Sequence, residues 1–223
     1  MADFERARRQ MVDCQIRPND VTDYDIIEAF GAVPREIFLP QSKKPIAYID
    51  ADIRVENGDV ADQDRYLMQV MPFAKMVQAA QIKQDDFVLC VGCGVGYGAA
   101  IVARLADSVI GLEENQSLLS RARDAVELLS IENLAIVEGK IEAGYSSEAP
   151  FDVILIEGSV DFVPDVLFGQ LRDHGRLVTV VGKSLSASLC VYRRTGDDVS
   201  VMRLGNASVP MLPGFRREVS FSF

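Results

Sequence analysis

The stretch Val88-Leu89-Cys90-Val91-Gly92-Cys93-Gly94-Val95-Gly96-Tyr97-Gly98 constrains this chain more than any other. An apolar, β-branched run enters a cluster of glycines and leaves into a helix-compatible segment, so a buried strand turns directly into a helix. At such a junction the first amides of the helix and its dipole face an anionic or polar ligand group, and glycine lets that ligand approach the backbone. The dinucleotide fingerprint would require glycine at position 97, where this chain has Tyr97; the pattern present is Gly92-x-Gly94-x-Gly96. Glu113 closes the next apolar run, Val109-Ile110-Gly111-Leu112, 21 residues after Gly92. An acid there can accept both hydroxyls of a ribose. Turn and acid together imply a nucleoside cofactor, and the missing third glycine favours S-adenosylmethionine over NAD.

Beyond Phe87, short β-branched runs (87–91, 108–112, 134–137, 151–156, 176–181) alternate with helical ones (97–106, 115–129, 163–171). Such alternation predicts a parallel sheet covered by helices on both faces. Leu189–Arg193 and Val199–Leu204, joined by Thr195-Gly196-Asp197-Asp198, should close it with an antiparallel pair. Upstream, Phe4, Arg8 and Met11 have helical spacing, Thr22-Asp23-Tyr24-Asp25 resembles a capping box, and Pro34 and Pro40 stop regular structure. Gln41–Asp64 is polar, with a turn signal at Asn57-Gly58-Asp59, and reads as a long surface segment, either a lid or a connector. Helical spacing resumes near Met71, with Pro72 in the first turn, through Met76, Val77 and Ala80. The expected fold is therefore α/β: a mostly parallel sheet with a C-terminal antiparallel strand pair, plus an N-terminal helical extension. Residues 1–70 form the extension and connector, and residues 71–223 the S-adenosylmethionine-dependent domain.

Composition narrows the function further. A formal charge of −10 opposes a phosphate backbone, so neither nucleic acid nor an anionic membrane surface is an expected partner. The single histidine, His174, disfavours multi-histidine metal sites and hydrolase triads, and no metal is expected. Four cysteines and a start without an apolar signal run point to a reducing cytoplasm. Cys90-x-x-Cys93 has the spacing of half a zinc site or a redox pair, but no second pair accompanies it, and Met68, Met71 and Met76 read as core filler.

The string Val88–Ala106, VLCVGCGVGYGAAIVARLA, resembles the first methyltransferase motif of the protein-L-isoaspartate O-methyltransferase family, usually written VLEIGTGSGYQAAVLARL. Met11–Ile16, Val33–Pro40 and Ala47–Asp50 are similar to that family's N-terminal MV..QL, VPRE.FVP and AY.D stretches. Ala149–Ile154, Gln170-Leu171, Gly175–Val178, Val181-Gly182 and Val209–Leu212 match later elements in order, so the likeness spans nearly the whole chain. It implies a Rossmann-like methyltransferase sheet and a cytosolic repair enzyme that moves the methyl of S-adenosylmethionine onto the α-carboxylate of isoaspartyl residues, with a protein or peptide as substrate. A carboxylate acceptor is already ionised at neutral pH and needs alignment more than a base.

The resemblance also fixes where the chain departs from the family. Counting back from Phe73-Ala74-Lys75-Met76 places the family's threonine-isoleucine-serine run on Tyr66-Leu67-Met68, so the substrate-side positions are Met68 and Gln69. The acid of the first motif is Cys90. The aspartate that accepts from the adenine amino group becomes Lys140, after Gly139, which would pass that role to a backbone carbonyl, Glu138 or Glu142. The arginine beside the ribose acid is Glu114, and the threonine-alanine pair after the fourth strand is Glu157-Gly158. The cofactor-facing set implied is thus Gly92, Cys93, Gly94, Gly96, Tyr97, Glu113, Glu114, Gly139, Lys140 and Glu157, with no catalytic side chain assigned. Two other readings accommodate these changes: a non-catalytic descendant kept as a binding or regulatory module, or a small-molecule methyltransferase rebuilt around Met68 and Glu157.

Overall fold

In the computed structural model, which describes residues 3–56 and 64–216, the chain begins with α1 (Phe4–Met11) and α2 (Tyr24–Ala32). Asp23, and not the Thr22 of the expected capping box, caps α2 by accepting from the amides of Asp25 and Ile26. The Thr22 amide donates to Gln78 Oε1 at 2.8 Å, a long-range contact that ties the start of α2 to another segment. Past Pro34 the backbone passes through short 3₁₀ turns, and the segment read as surface proves partly structural. Its residues Ile53–Glu56 form β1, antiparallel to β2 (Arg65–Leu67), with Ile53, Val55 and Ala47 buried. The Asn57-Gly58-Asp59 signal lies outside the described residues. Next comes α3 (Val70–Ala80), with Pro72 in its first turn, where a missing amide costs nothing.

The main elements follow as β3 (Phe87–Val91), α4 (Tyr97–Ala103), β4 (Ser108–Glu113), α5 (Gln116–Leu128), β5 (Leu134–Glu138), β6 (Phe151–Val160), α6 (Asp165–Gly169), β7 (Leu171–Val181), β8 (Ser188–Thr195) and β9 (Asp198–Asn206). They make one seven-stranded sheet in the order β5-β4-β3-β6-β7-β8-β9, parallel from β5 to β7 and antiparallel over the last two pairings. Two elements depart from expectation. The helix expected over 163–171 shrinks to α6, and β7 starts at Leu171 through an irregular stretch in which His174 adopts a left-handed conformation. β6 runs on to Val160, where Ser159 and Val160 pair with Val180 and Val181 of β7 and residues near Met211 join as well: the Ser159 amide donates to Pro210 O, and the Leu212 amide to Ser159 O, both at 2.9 Å.

The apolar strands are buried on both faces, which is why they read as continuous runs. Val88 and Cys90 of β3 face a core shared with α1 to α5, whereas Leu89 and Val91 face a second one with Phe151, Ile154, Ile156 and Phe215. Strand order reverses at β3, whose neighbours are β4 and β6, so the crevice at the C-terminal end of β3 is the switch point where open α/β sheets bind ligands.

Candidate active site

The turn leaving β3 is built as the glycine pattern demands. Gly92, Gly94 and Gly96 all have positive φ (+70°, +56° and +88°), a region that side-chain-bearing residues rarely adopt. Leu212, from the C-terminal segment, lies where a Cβ on Gly92 would stand, so the turn is also packed from outside.

Glu113, at the end of β4, is fully buried and points back at this turn. Its Oε2 accepts from the Gly94 amide at 2.8 Å, and its Oε1 accepts from the amides of Glu114 and Asn115, both at 3.0 Å. Facing it is a residue that the motifs do not mark. Arg65 of β2 donates from Nη1 to Glu113 Oε1 at 2.7 Å and from Nη2 to Glu113 Oε2 at 2.6 Å, with a further bond from Nη2 to Gly92 O at 3.2 Å. Burial alone would lower the Arg65 pKa, but the Glu113 carboxylate outweighs it and holds the guanidinium above its ordinary value.

Glu157, on β6, completes the enclosure. Its side chain stands over Gly98 so closely that a Cβ there would collide with Oε2, and its Oε1 is buried with no hydrogen-bond partner. Burial first, and then the Glu113 charge, push its carboxyl well above the usual range and toward the neutral form. Burial likewise raises the thiols of Cys90 and Cys93, which removes the thiolate character that a reactive pair would need.

Of the residues expected at the site, Met68, Gly92, Cys93, Gly94, Tyr97 and Glu157 line one cavity, together with Arg35 and Phe73. Its volume is about 20 Å³, enough for one water. Gly96 caps α4 against Ala122, and Glu114 is exposed beyond the Glu113 carboxylate. Gly139 donates its amide to Glu113 O at 3.2 Å, Lys140 is exposed after β5, and Gln69 turns outward to Asp50 with Nε2 donating at 2.8 Å. Near Lys140, Glu142 leaves its Oε2 buried without a partner. Arg35, from the Val33–Pro40 motif, is buried beneath the cavity: Nε donates to Ala47 O at 2.9 Å, Nη2 donates to Met68 O at 2.6 Å, and the guanidinium lies 4.8 Å from the Tyr97 ring centroid. It fixes the backbone of Met68. A larger hollow of about 370 Å³ lies between α2, the loop leading into β3 and the end of α4, near Gln81, Lys83 and Arg104, away from this chemistry.

The family model for protein-L-isoaspartate(D-aspartate) O-methyltransferase matches residues 6–213. Among similar sequences, the protein-L-isoaspartate O-methyltransferase of Koribacter versatilis (strain Ellin345) is 34% identical over 210 residues, covering 94% of this chain and 92% of that one. That of Roseiflexus castenholzii (strain DSM 13941 / HLO8) is 33% identical over 213 residues, covering 95% and 94%. A solved protein-L-isoaspartate O-methyltransferase superposes with a TM-score of 0.78 at 25% identity over 93% of this chain, which spans 66% of that longer protein. A Plasmodium falciparum structure, described as a beta-aspartate methyltransferase in complex with S-adenosyl-L-homocysteine, shares the fold at a TM-score of 0.75, with 19% identity and coverage of 95% and 99%. Among the described residues no helix is long and apolar enough to cross a membrane.

Proposed function

The chain belongs to the protein-L-isoaspartate(D-aspartate) O-methyltransferase family, and from that premise we propose that it is an S-adenosylmethionine-dependent methyltransferase of protein carboxylates, with isoaspartyl residues as the acceptors. The observation that carries this reading is the buried Glu113 carboxylate at the C-terminal end of β4, aimed at the Gly92–Gly96 turn beside the switch point. Glu113 is assigned the ribose diol and Gly94 the close approach of the backbone, while Gly96, packed on Ala122, shapes the turn. Glu142, whose buried Oε2 is unpartnered, is a better acceptor for the adenine amino group than Lys140, which is exposed and can only donate. Met68 and Glu157 are assigned to the acceptor side.

The frame of the site suits a nucleoside; its interior in this conformation does not. A cavity of about 20 Å³ falls far short of the roughly 300–1,000 Å³ that ligand pockets enclose: Glu157 crowds the space over Gly98, and Arg65 lies against Glu113 and the Gly92 carbonyl on the β4 side of the turn. The chemistry asked of the side chains is modest. An isoaspartyl carboxylate is ionised at neutral pH, so the chain supplies orientation and a dry enclosure and not a general base. Burial biases Glu157 toward its neutral form, which adds little repulsion toward an incoming carboxylate.

The reading is tested with methyl-labelled S-adenosylmethionine and a pair of peptides differing only in an isoaspartyl or an aspartyl linkage. Base-labile methyl ester should form on the isoaspartyl peptide alone. Absence of ester both in the native chain and in the Arg65→Gln, Glu157→Thr double variant, each folded, would overturn it.

A further inference from the structure

We propose that Arg65 and Glu157 are the resident occupants of the nucleoside cleft: the Arg65 guanidinium holds the ribose anchor Glu113, Glu157 fills the space over Gly98, and a nucleoside cofactor enters only when both side chains withdraw. The inference rests on the reading of Glu113 as that anchor.

Glu113 has no acceptor capacity to spare. A carboxylate offers about four lone-pair directions. Five donors already converge on it, two from Arg65 and one each from the amides of Gly94, Glu114 and Asn115. A ribose diol would therefore have to displace the guanidinium, exchanging a two-bond, charge-assisted pair for neutral hydroxyls. The Arg65 side chain is only 7% exposed and that of Glu113 is 0%, so this pair is neither screened nor frayed by solvent. The Arg65 Nη2 is also the nearest atom, at 4.0 Å, to the position a Cβ on Gly94 would take, which puts the guanidinium directly over the glycine meant for the ligand.

The strand that carries Arg65 is held in place. β2 pairs with β1, and β1 is tied to α5 by Arg121 Nη1 donating to Val55 O at 2.9 Å and by Ser117 Oγ donating to Glu56 Oε2 at 2.6 Å. On the other wall, Glu157 leaves no room above Gly98. The apparent affinity of a site that is open for a fraction of the time falls by that fraction, so a cleft open about 1–10% of the time binds about 10- to 100-fold more weakly than an open one.

Calorimetry with S-adenosylhomocysteine on the native chain, Arg65→Gln, Glu157→Thr and the double variant tests this, with thermal melts to confirm the fold. Each single variant should bind more tightly than the native chain, and the double variant by about 10-fold or more. Tight and equal binding by all four proteins would overturn self-occupancy while leaving the cofactor reading intact. Absence of binding by four cooperatively melting proteins would overturn both. If Arg65→Gln does not melt cooperatively, Arg65→Lys keeps the charge without the two-bond fork. Its affinity should exceed that of the native chain, and an unchanged value would overturn the proposal.

Discussion

Arg65 and Glu113, 48 residues apart, meet as a buried two-bond ion pair with donor–acceptor distances of 2.7 and 2.6 Å. The two partners depend on it unequally. Without Arg65, Glu113 keeps the amides of Gly94, Glu114 and Asn115; without Glu113, Arg65 keeps only the carbonyl of Gly92. Glu113→Ala should therefore lose about 3–5 kcal/mol in urea denaturation, the cost of stranding a buried charge, and Arg65→Gln distinctly less. Equal losses would mean that the backbone amides contribute nothing to holding the carboxylate.

Gly98 and Glu157 form a second coupled pair, through space alone. Gly98 lies within α4, where alanine would be favoured by about 1 kcal/mol on propensity. A Cβ at that position collides with Glu157 Oε2. Gly98→Ala should destabilise the native chain and become neutral or stabilising in a Glu157→Ser background. A double-mutant cycle on melting temperature checks this, and additivity of the two changes would place Glu157 elsewhere.

Much of this architecture is legible in the sequence because the strands are buried on both faces. Runs such as Phe87–Val91 and Val109–Leu112 carry unbroken apolar character, and the glycines that follow Val91 announce the turn before any coordinate does. What escapes is set by contacts between distant segments. β6 reaches Val160 through pairing with the end of β7 and with residues near Met211, and the cap of α2 falls to Asp23 while the Thr22 amide is held by Gln78 on α3. Arg65 escapes for the same reason. It is one basic residue in an acid-rich segment, and no fixed spacing links it to Glu113. A count of partners for a buried acid is the signal that finds it, and that count requires the fold.

The four cysteines should separate sharply by reactivity. Cys14 is exposed, whereas Cys90, Cys93 and Cys190 are buried, and burial raises the pKa of all three. A thiol reacts as its thiolate, so Ellman's reagent should modify one thiol per native chain quickly and all four in denaturant. A second fast thiol in the native chain would show that Cys90 or Cys93 is reached through the cleft, and that the turn is more open than its packing against Leu212 and Ala122 indicates.

Glu157 should make stability fall as pH rises. In the unfolded chain its carboxyl titrates near the ordinary 4.5; in the folded chain burial and the neighbouring Glu113 hold the value well above that. Between the two values the folded chain keeps a proton that the unfolded chain has released. The contribution of Glu157 is thus fully present below the unfolded value and is lost as pH rises through the folded one. Glu157→Gln, neutral at every pH, escapes this loss. Its melting temperature relative to the native chain should be least favourable at acid pH and should improve steadily toward alkaline pH. Because Arg65 favours the ionised form of Glu157, Arg65→Gln should widen the alkaline advantage of the glutamine variant. A melting-temperature difference that does not change with pH would mean that Glu157 titrates as an ordinary solvated carboxyl, and so does not lie in the interior of the cleft.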